Sequence, residues 1–121
     1  MKIKTAEATG PALDWLVAKC DGLEFDEDYQ PIWFEHDGFA APRAEYHPST
    51  DWSQGGPIIE REGISLVCLF FSPQIGHIWQ ATTYRDDQII AGHGPTALIA
   101  AMRCHVASEL GDEVEIPEKL T

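Results

Sequence analysis

Residues 64–91 read ISLVCLFFSPQIGHIWQATTYRDDQIIA, and this stretch decides the fold. The largely apolar run Ile64–Phe71 ends at a Ser-Pro pair and is typical of a buried strand. Residues 78–85 alternate between two faces, as a second strand does. Asp86-Asp87 then makes a turn into a third strand, Gln88–Ala91. The stretch therefore predicts an antiparallel meander of three strands.

Two longer helices are predicted, one before and one after this meander in the chain. Pro95–Leu110 repeats apolar residues at helical spacing and ends before a glycine. Gly10–Cys20 begins with a Gly-Pro pair and repeats apolar residues at the same spacing. Residues 55–63 predict a short helix that begins at a proline and ends at a glycine, and a short strand is the alternative. The predicted fold class is α+β, with the meander packed against two main helices and one short helix, similar to an α-β-α sandwich.

Length and composition indicate one domain over residues 1–121, because 44% apolar content supplies a single modest core. Residues 23–56 are weakly patterned and predict an irregular loop region, either a flap over the core or a binding loop. Residues 112–121 form an acidic tail. The net charge of −12 is concentrated on residues 7–45 and 109–121. Such a field repels nucleic acid and anionic membranes, so we expect direct binding to neither.

The cysteines indicate the compartment. Cys20, Cys68 and Cys104 lie in apolar contexts, and none belongs to a Cys-x-x-Cys pair. This usage predicts reduced, mostly buried thiols in a cytosolic protein. The longest apolar run is too short to span a bilayer, and the first residues turn polar at once. We therefore expect a soluble, intracellular protein.

No reaction signature accompanies these elements. The histidines are scattered, and a helix would splay the adjacent Cys104 and His105 apart, with the cysteine packed inside and the histidine near the surface. Ser53 is not part of a Gly-x-Ser-x-Gly elbow, and the chain has no glycine-rich phosphate loop. The sequence therefore predicts no enzyme, no metal site and no cofactor.

Four residues form the predicted ligand-binding site: Trp52, Arg61, Thr96 and Arg103. A helix that starts near Thr96 offers free backbone N–H groups and the positive end of its dipole, which suit an anion. Arginine can pair with a phosphate, and an indole can stack on a base. The set predicts a small anionic, nucleotide-like ligand. In the alternative interpretation Trp52 fills the core, the arginines pair with carboxylates, and no ligand binds.

Two segments carry a family resemblance. Residues 48–64, PSTDWSQGGPIIEREGI, and residues 94–114 resemble the NinX-like family of small tailed-phage proteins, to which residues 9–20 are also similar. A looser similarity is to the phage α-β-α sandwich domains, which share a Ser-Thr-Asp turn, a Trp-bearing strand and an Ala-Arg-rich final helix.

The resemblance implies a phage or prophage accessory protein that works in the host bacterial cytoplasm and is dispensable for building the virion. The family's function is unknown, so no catalytic residues follow from it. By analogy, the expected role is counter-defence by a non-enzymatic binder of a nucleotide signal, with a homo-oligomer as the expected assembly. One alternative is an acidic interaction module that blocks a host factor. Another is a phage domain without a ligand site.

Overall fold

The computed structural model describes residues 1–25, 31–34, 40–41 and 46–120. Three helices and eight strands follow one another along these residues: β1 (Lys2–Lys4), α1 (Gly10–Cys20), β2 (Glu24–Phe25), β3 (Pro31–Phe34), β4 (Ala40–Ala41), α2 (Trp52–Glu62), β5 (Ser65–Ser72), β6 (Gly76–Arg85), β7 (Gln88–Gly94), α3 (Ala97–Leu110) and β8 (Glu113–Glu115). Short 3-10 turns lie at Thr5–Glu7 and Glu118–Leu120. The predicted α+β class is confirmed.

The predicted meander is confirmed as the main sheet, with β6 between β5 and β7 and all neighbours antiparallel. Ala81 on the central strand lies opposite Leu66 on one side and Gly92 on the other. Asp86 and Asp87 have φ angles of 52° and 65°. Both are therefore in the left-handed conformation that a two-residue hairpin turn of type I′ requires.

The core lies between α1, α3 and one face of the meander, which we call the inner face. α3 contacts all three strands of the meander, and α1 packs against another side of α3. Leu13 and Leu16 of α1 and Met102 and Val106 of α3 are completely buried. None of the described helices has the length and apolar character needed to cross a membrane.

The second helix begins earlier than predicted. α2 starts at Trp52 because the Asp51 carboxylate accepts the Ser53 backbone N–H at 2.9 Å and caps the helix. It ends at Gly63, whose φ of 64° is the left-handed conformation of a helix C-cap. Pro57, predicted to start this helix, lies inside it.

The prediction that β5 is a buried strand was wrong. Val67, Phe70 and Phe71 are 52%, 54% and 61% exposed. β5 is an edge strand, and among the described residues the sheet face opposite α3, our outer face, is open, with Tyr84 of β6 also exposed. Cys68 of β5 is exposed too, contrary to the expectation of mostly buried thiols.

The expected surface position of His105 was also wrong, because its side chain is only 2% exposed. α3 is enclosed by α1 on one side and by the meander on another, so residues around most of its circumference are buried. Cys104 packs inside as predicted.

The remaining strands form two small sheets. β1 pairs with β8, with Ile3 opposite Val114, so the predicted acidic tail joins the first strand of the chain. β2, β3 and β4 form a second three-stranded sheet within the predicted loop region. The sequence also predicts an exposed acidic run at residues 26–28 and a turn at Asp37-Gly38, and both lie outside the described residues.

Candidate functional site

A cleft of about 660 Å³ opens between the starts of α2 and α3 and the inner face of β5 and β6. We call it the tryptophan cleft. Two indoles, an imidazole, small polar groups and the first turn of α3 line it: Trp52, Trp79, His77, Leu66, Ser49, Thr50 and Pro95–Ile99. Its size lies in the range of small-molecule sites, roughly 300–1,000 Å³.

The Trp52 indole is 55% exposed, so it does not fill the core. It is the first residue of α2, and the Asp51 cap fixes its backbone. The Ser53 hydroxyl donates to the Asp51 carboxylate at 2.6 Å and its backbone N–H donates at 2.9 Å. These two hydrogen bonds lower the pKa of Asp51, so the cap stays ionised to a lower pH than an ordinary aspartate would. The cleft thus presents a flat aromatic surface on a firmly capped helix end.

The first turn of α3 supplies hydrogen-bond donors to the same cleft. The Thr96 side chain accepts the Ile99 N–H at 3.1 Å, and the Thr96 carbonyl accepts the Ala100 N–H at 3.0 Å. Within the part of the chain that the structure describes, the N–H groups of Ala97 and Leu98 have no acceptor. Two free donors and the positive end of the helix dipole therefore lie at the cleft.

Close packing at Gly55 brings the two helix starts together. A β carbon built on Gly55 would lie 2.6 Å from Leu98 Cδ2 and 2.5 Å from the Pro48 carbonyl oxygen. Only a residue without a side chain allows α2 to approach α3 so closely. This contact sets Trp52 and Thr96 beside the same space.

Arg61 does not line the tryptophan cleft. Its Nη2 lies 2.9 Å from Asp21 Oδ1, and its Nε lies 2.9 Å from Glu62 Oε2. It is near the far end of α2, about 13 Å along the helix axis from Trp52. The alternative interpretation, in which Arg61 pairs with carboxylates, describes its contacts.

Arg103 lines a second cleft, of about 540 Å³, together with Lys4 and His93. Its Nε donates to the Ala8 carbonyl at 2.9 Å, and its Nη1 donates to the His93 carbonyl at 2.8 Å. Burial lowers the pKa of Arg103. These bonds tie the chain before α1 to the end of β7, which is a structural role.

The structure thus brings two of the four predicted site residues together, Trp52 and Thr96. The arginines lie on opposite sides of α3, because Asp21, the partner of Arg61, also contacts His105. His105 and Arg103 are two residues apart, about 200° around the helix. Among the described residues, Pro95 is the one that lines both clefts.

Sequence reasoning missed Trp79 and His77 as cleft residues. The signal was present in the alternation of β6, which directs Trp79 to the same face as the buried Ala81. That this face meets the start of α3 follows only from the packing of the helix on the sheet.

Comparison with known proteins places the chain in a phage context. A crystal structure of a phage protein from Bacillus cereus ATCC 14579 has a TM-score of 0.59 at 18% identity, over 84% of this chain and 89% of that one. This likeness shows a shared fold. The comparison with curated proteins gives no match. Residues 4–109 match the family model described as Bacteriophage P22, NinX. Because that match covers most of the sequence, the chain belongs to the phage P22 NinX family.

Proposed function

We propose that this protein is a non-enzymatic binder of a small anionic ligand with a planar heterocycle, such as a nucleotide, and that the tryptophan cleft is its site. One juxtaposition carries the proposal: an exposed indole and the open start of a helix border the same cleft. The indole suits a heterocycle, and the helix start suits an anion.

The cleft supplies the two kinds of contact that such a ligand needs. Stacking of a base on an aromatic side chain contributes about 1–3 kcal/mol, and Trp52 is the exposed aromatic surface for it. The free N–H groups of Ala97 and Leu98 can donate to a phosphate or carboxylate. Trp79 and Leu66 give the cleft an apolar wall that excludes water from the stacked ring.

In a phage accessory protein, this binding corresponds to a counter-defence role in the host cytoplasm, in which a nucleotide signal is sequestered rather than converted. Docking of acidic segments on a basic host surface is the alternative function. That alternative uses the acidic residues 21–28 and 109–118. Residues 26–28 lie outside the described residues, whereas residues 109–118 include the end of α3 and β8.

The proposal is tested by calorimetry with AMP, 3′,5′-cyclic AMP, ADP-ribose and adenosine, each at about millimolar concentration. Trp52→Ala is expected to weaken nucleotide binding by at least about fivefold, which corresponds to the loss of one stacking contact. Tyr84→Ala is the matched control, because Tyr84 is an aromatic residue that is 75% exposed on the outer face. If all four compounds fail to bind, or if Trp52→Ala binds as wild type does, the proposal is wrong.

A second variant tests the contribution of the start of α3 to binding of the anion. Thr96 has φ −130° and ψ 157°, the extended conformation that a residue before proline prefers. Ala97→Pro therefore removes one backbone N–H while the helix can still begin there. We expect it to weaken binding of AMP more than binding of uncharged adenosine, with the melting temperature preserved. Equal loss for both compounds would mean that the helix start does not contact the anion.

A further inference from the structure

A second group of ligand-type side chains meets at the other end of α2, away from the tryptophan cleft. Potential metal-ligating atoms of Glu62, His105 and Glu109 all lie within 4.8 Å of one another. His105 and Glu109 are one turn apart on α3, so they share a face, and Glu62 is the last residue of α2. Three donor groups from two helices therefore converge on one point.

The hydrogen bonding of His105 leaves one ring nitrogen free toward this point. Its Nε2 lies 3.1 Å from Asp21 Oδ1, and Asp21 is itself held by Arg61. A carboxylate at this distance favours a proton on Nε2, and in the neutral ring Nδ1 then carries the lone pair. Nδ1 is buried and has no hydrogen-bond partner among the residues that the structure describes, and it lies 3.7 Å from Glu62 Oε1, beyond hydrogen-bond distance. In the neutral ring, the buried Nδ1 and the partly exposed Glu62 carboxylate are therefore two acceptors that face each other.

Each glutamate also keeps one oxygen outside its ion pair. Arg61 Nε contacts Oε2 of Glu62, and Arg85 Nη2 contacts Oε1 of Glu109. The arginines orient the two carboxylates, and the remaining oxygens can serve as ligands. Asp21, Glu62 and Glu109 outweigh the two arginines, so the group has a net charge of −1 when His105 is neutral.

The geometry points to a binding site for a divalent transition-metal ion of the zinc class, held by His105 Nδ1, Glu62 and Glu109. Zinc ligands at about 2.1 Å from the ion lie about 3.4 Å apart in a tetrahedron. His105 Nδ1 and Glu62 Oε1 lie 3.7 Å apart and all three donors lie within 4.8 Å, so side-chain rotations would have to bring any pair closer by at most about 1.4 Å. One imidazole with two carboxylates suits zinc better than calcium or magnesium, which prefer all-oxygen sites. Asp21 then orients the imidazole through its contact with Nε2, the ring nitrogen that does not bind the ion, as carboxylates do in many metal sites.

The test is a titration of chelator-treated protein with zinc acetate, in competition with a chromophoric chelator. We expect one zinc ion per chain, and we expect Glu109→Gln to weaken binding at least about tenfold. Glu115→Gln removes an equally charged carboxylate on β8 and serves as the matched control. Glu109 lies at the partly exposed edge of the group, so its variant is expected to fold.

Nitrogen-15 spectra of the wild-type imidazole give an independent readout. Zinc binding is expected to shift the Nδ1 resonance of His105 and to leave Nε2 protonated. A His105 ring that is protonated on both nitrogens and unchanged by zinc overturns the proposal, since the ring is then an imidazolium held between Asp21 and Glu62. Wild-type affinity in Glu109→Gln also overturns it, because the bound zinc then lies elsewhere.

Discussion

The backbone of Gly92 lies directly against the backbone of Cys104, with no room for a side chain between β7 and α3. A β carbon on Gly92 would lie 2.5 Å from the Cys104 amide nitrogen and 2.6 Å from the Ala100 carbonyl oxygen. Neither backbone atom can rotate away as the tip of a side chain could, so the helix or the strand would have to move.

Gly92→Ala is therefore expected to lower the free energy of unfolding by about 2 kcal/mol or more. Urea denaturation of the wild type and the variant measures this difference in the free energy of unfolding. Ala91→Ser, at the exposed neighbouring position, is the control and should change stability little. Unchanged stability in Gly92→Ala would contradict the observed distance between β7 and α3.

Two adjacent glycines in α2 are expected to respond in opposite directions. A β carbon on Gly55 would meet the Pro48 carbonyl at 2.5 Å, whereas one on Gly56 would meet only the Trp52 ring, at 4.0 Å. Gly55→Ala should destabilise the protein by about 1–3 kcal/mol. Gly56→Ala should stabilise it by up to about 1 kcal/mol, because alanine favours a helix more than glycine does. Thermal melting of the two variants measures their changes in stability. Changes of the same sign would be inconsistent with this packing.

Asp14 is expected to make stability depend on pH. It is buried, and its carboxylate accepts the Ser49 backbone N–H at 2.9 Å. Burial raises the pKa of Asp14 above 3.8, although the hydrogen bond from the Ser49 backbone N–H partly opposes the shift. A carboxyl with a raised folded-state pKa contributes stability below pH 3.8, and that contribution is lost as the pH rises through the folded-state pKa.

Asp14→Asn keeps an acceptor for Ser49 but cannot ionise. Its stability relative to wild type should therefore increase as the pH rises from about 4 to about 7, as measured by urea midpoints. Glu60→Gln, at an exposed position, is the control. A difference between Asp14→Asn and wild type that stays constant over this range would show that Asp14 does not titrate differently on folding.

Arg103 is expected to support the fold rather than ligand binding. Arg103→Met leaves the Ala8 and His93 carbonyls without their donor and should cost about 2 kcal/mol of stability. Nucleotide affinity measured well below the melting temperature should stay unchanged. Loss of binding with full stability would instead support the role that the sequence predicted for this arginine.

Local signals predicted most of the fold. The Gly-Pro start of α1, the alternation of β6 and the paired aspartates of its turn depend on neighbouring residues, so the sequence displays them directly. The start of α2 was missed because the cap comes from Asp51, before the glycine pair. The exposure of β5 could not be predicted, because it depends on whether a second layer covers the outer face of the sheet.

The candidate site was predictable only in part. Trp52 and Thr96 stood out because an aromatic residue and a helix cap each lie next to turn residues. Arg61 was misplaced because its partner Asp21 is 40 positions away in the chain. The group of Glu62, His105 and Glu109 could not be predicted for the same reason. Its members are brought together by the packing of α2 on α3 and not by their spacing in the sequence.

The pairing of β1 with β8 means that this sheet cannot form until nearly all of the residues described here have been synthesised. β8 follows β1 by more than a hundred residues in the chain. At about 5–20 residues per second, the first strand waits on the order of ten seconds for that partner to leave the ribosome. The meander and α3 lie between these two strands in the chain, so both are synthesised before the β1–β8 sheet can form.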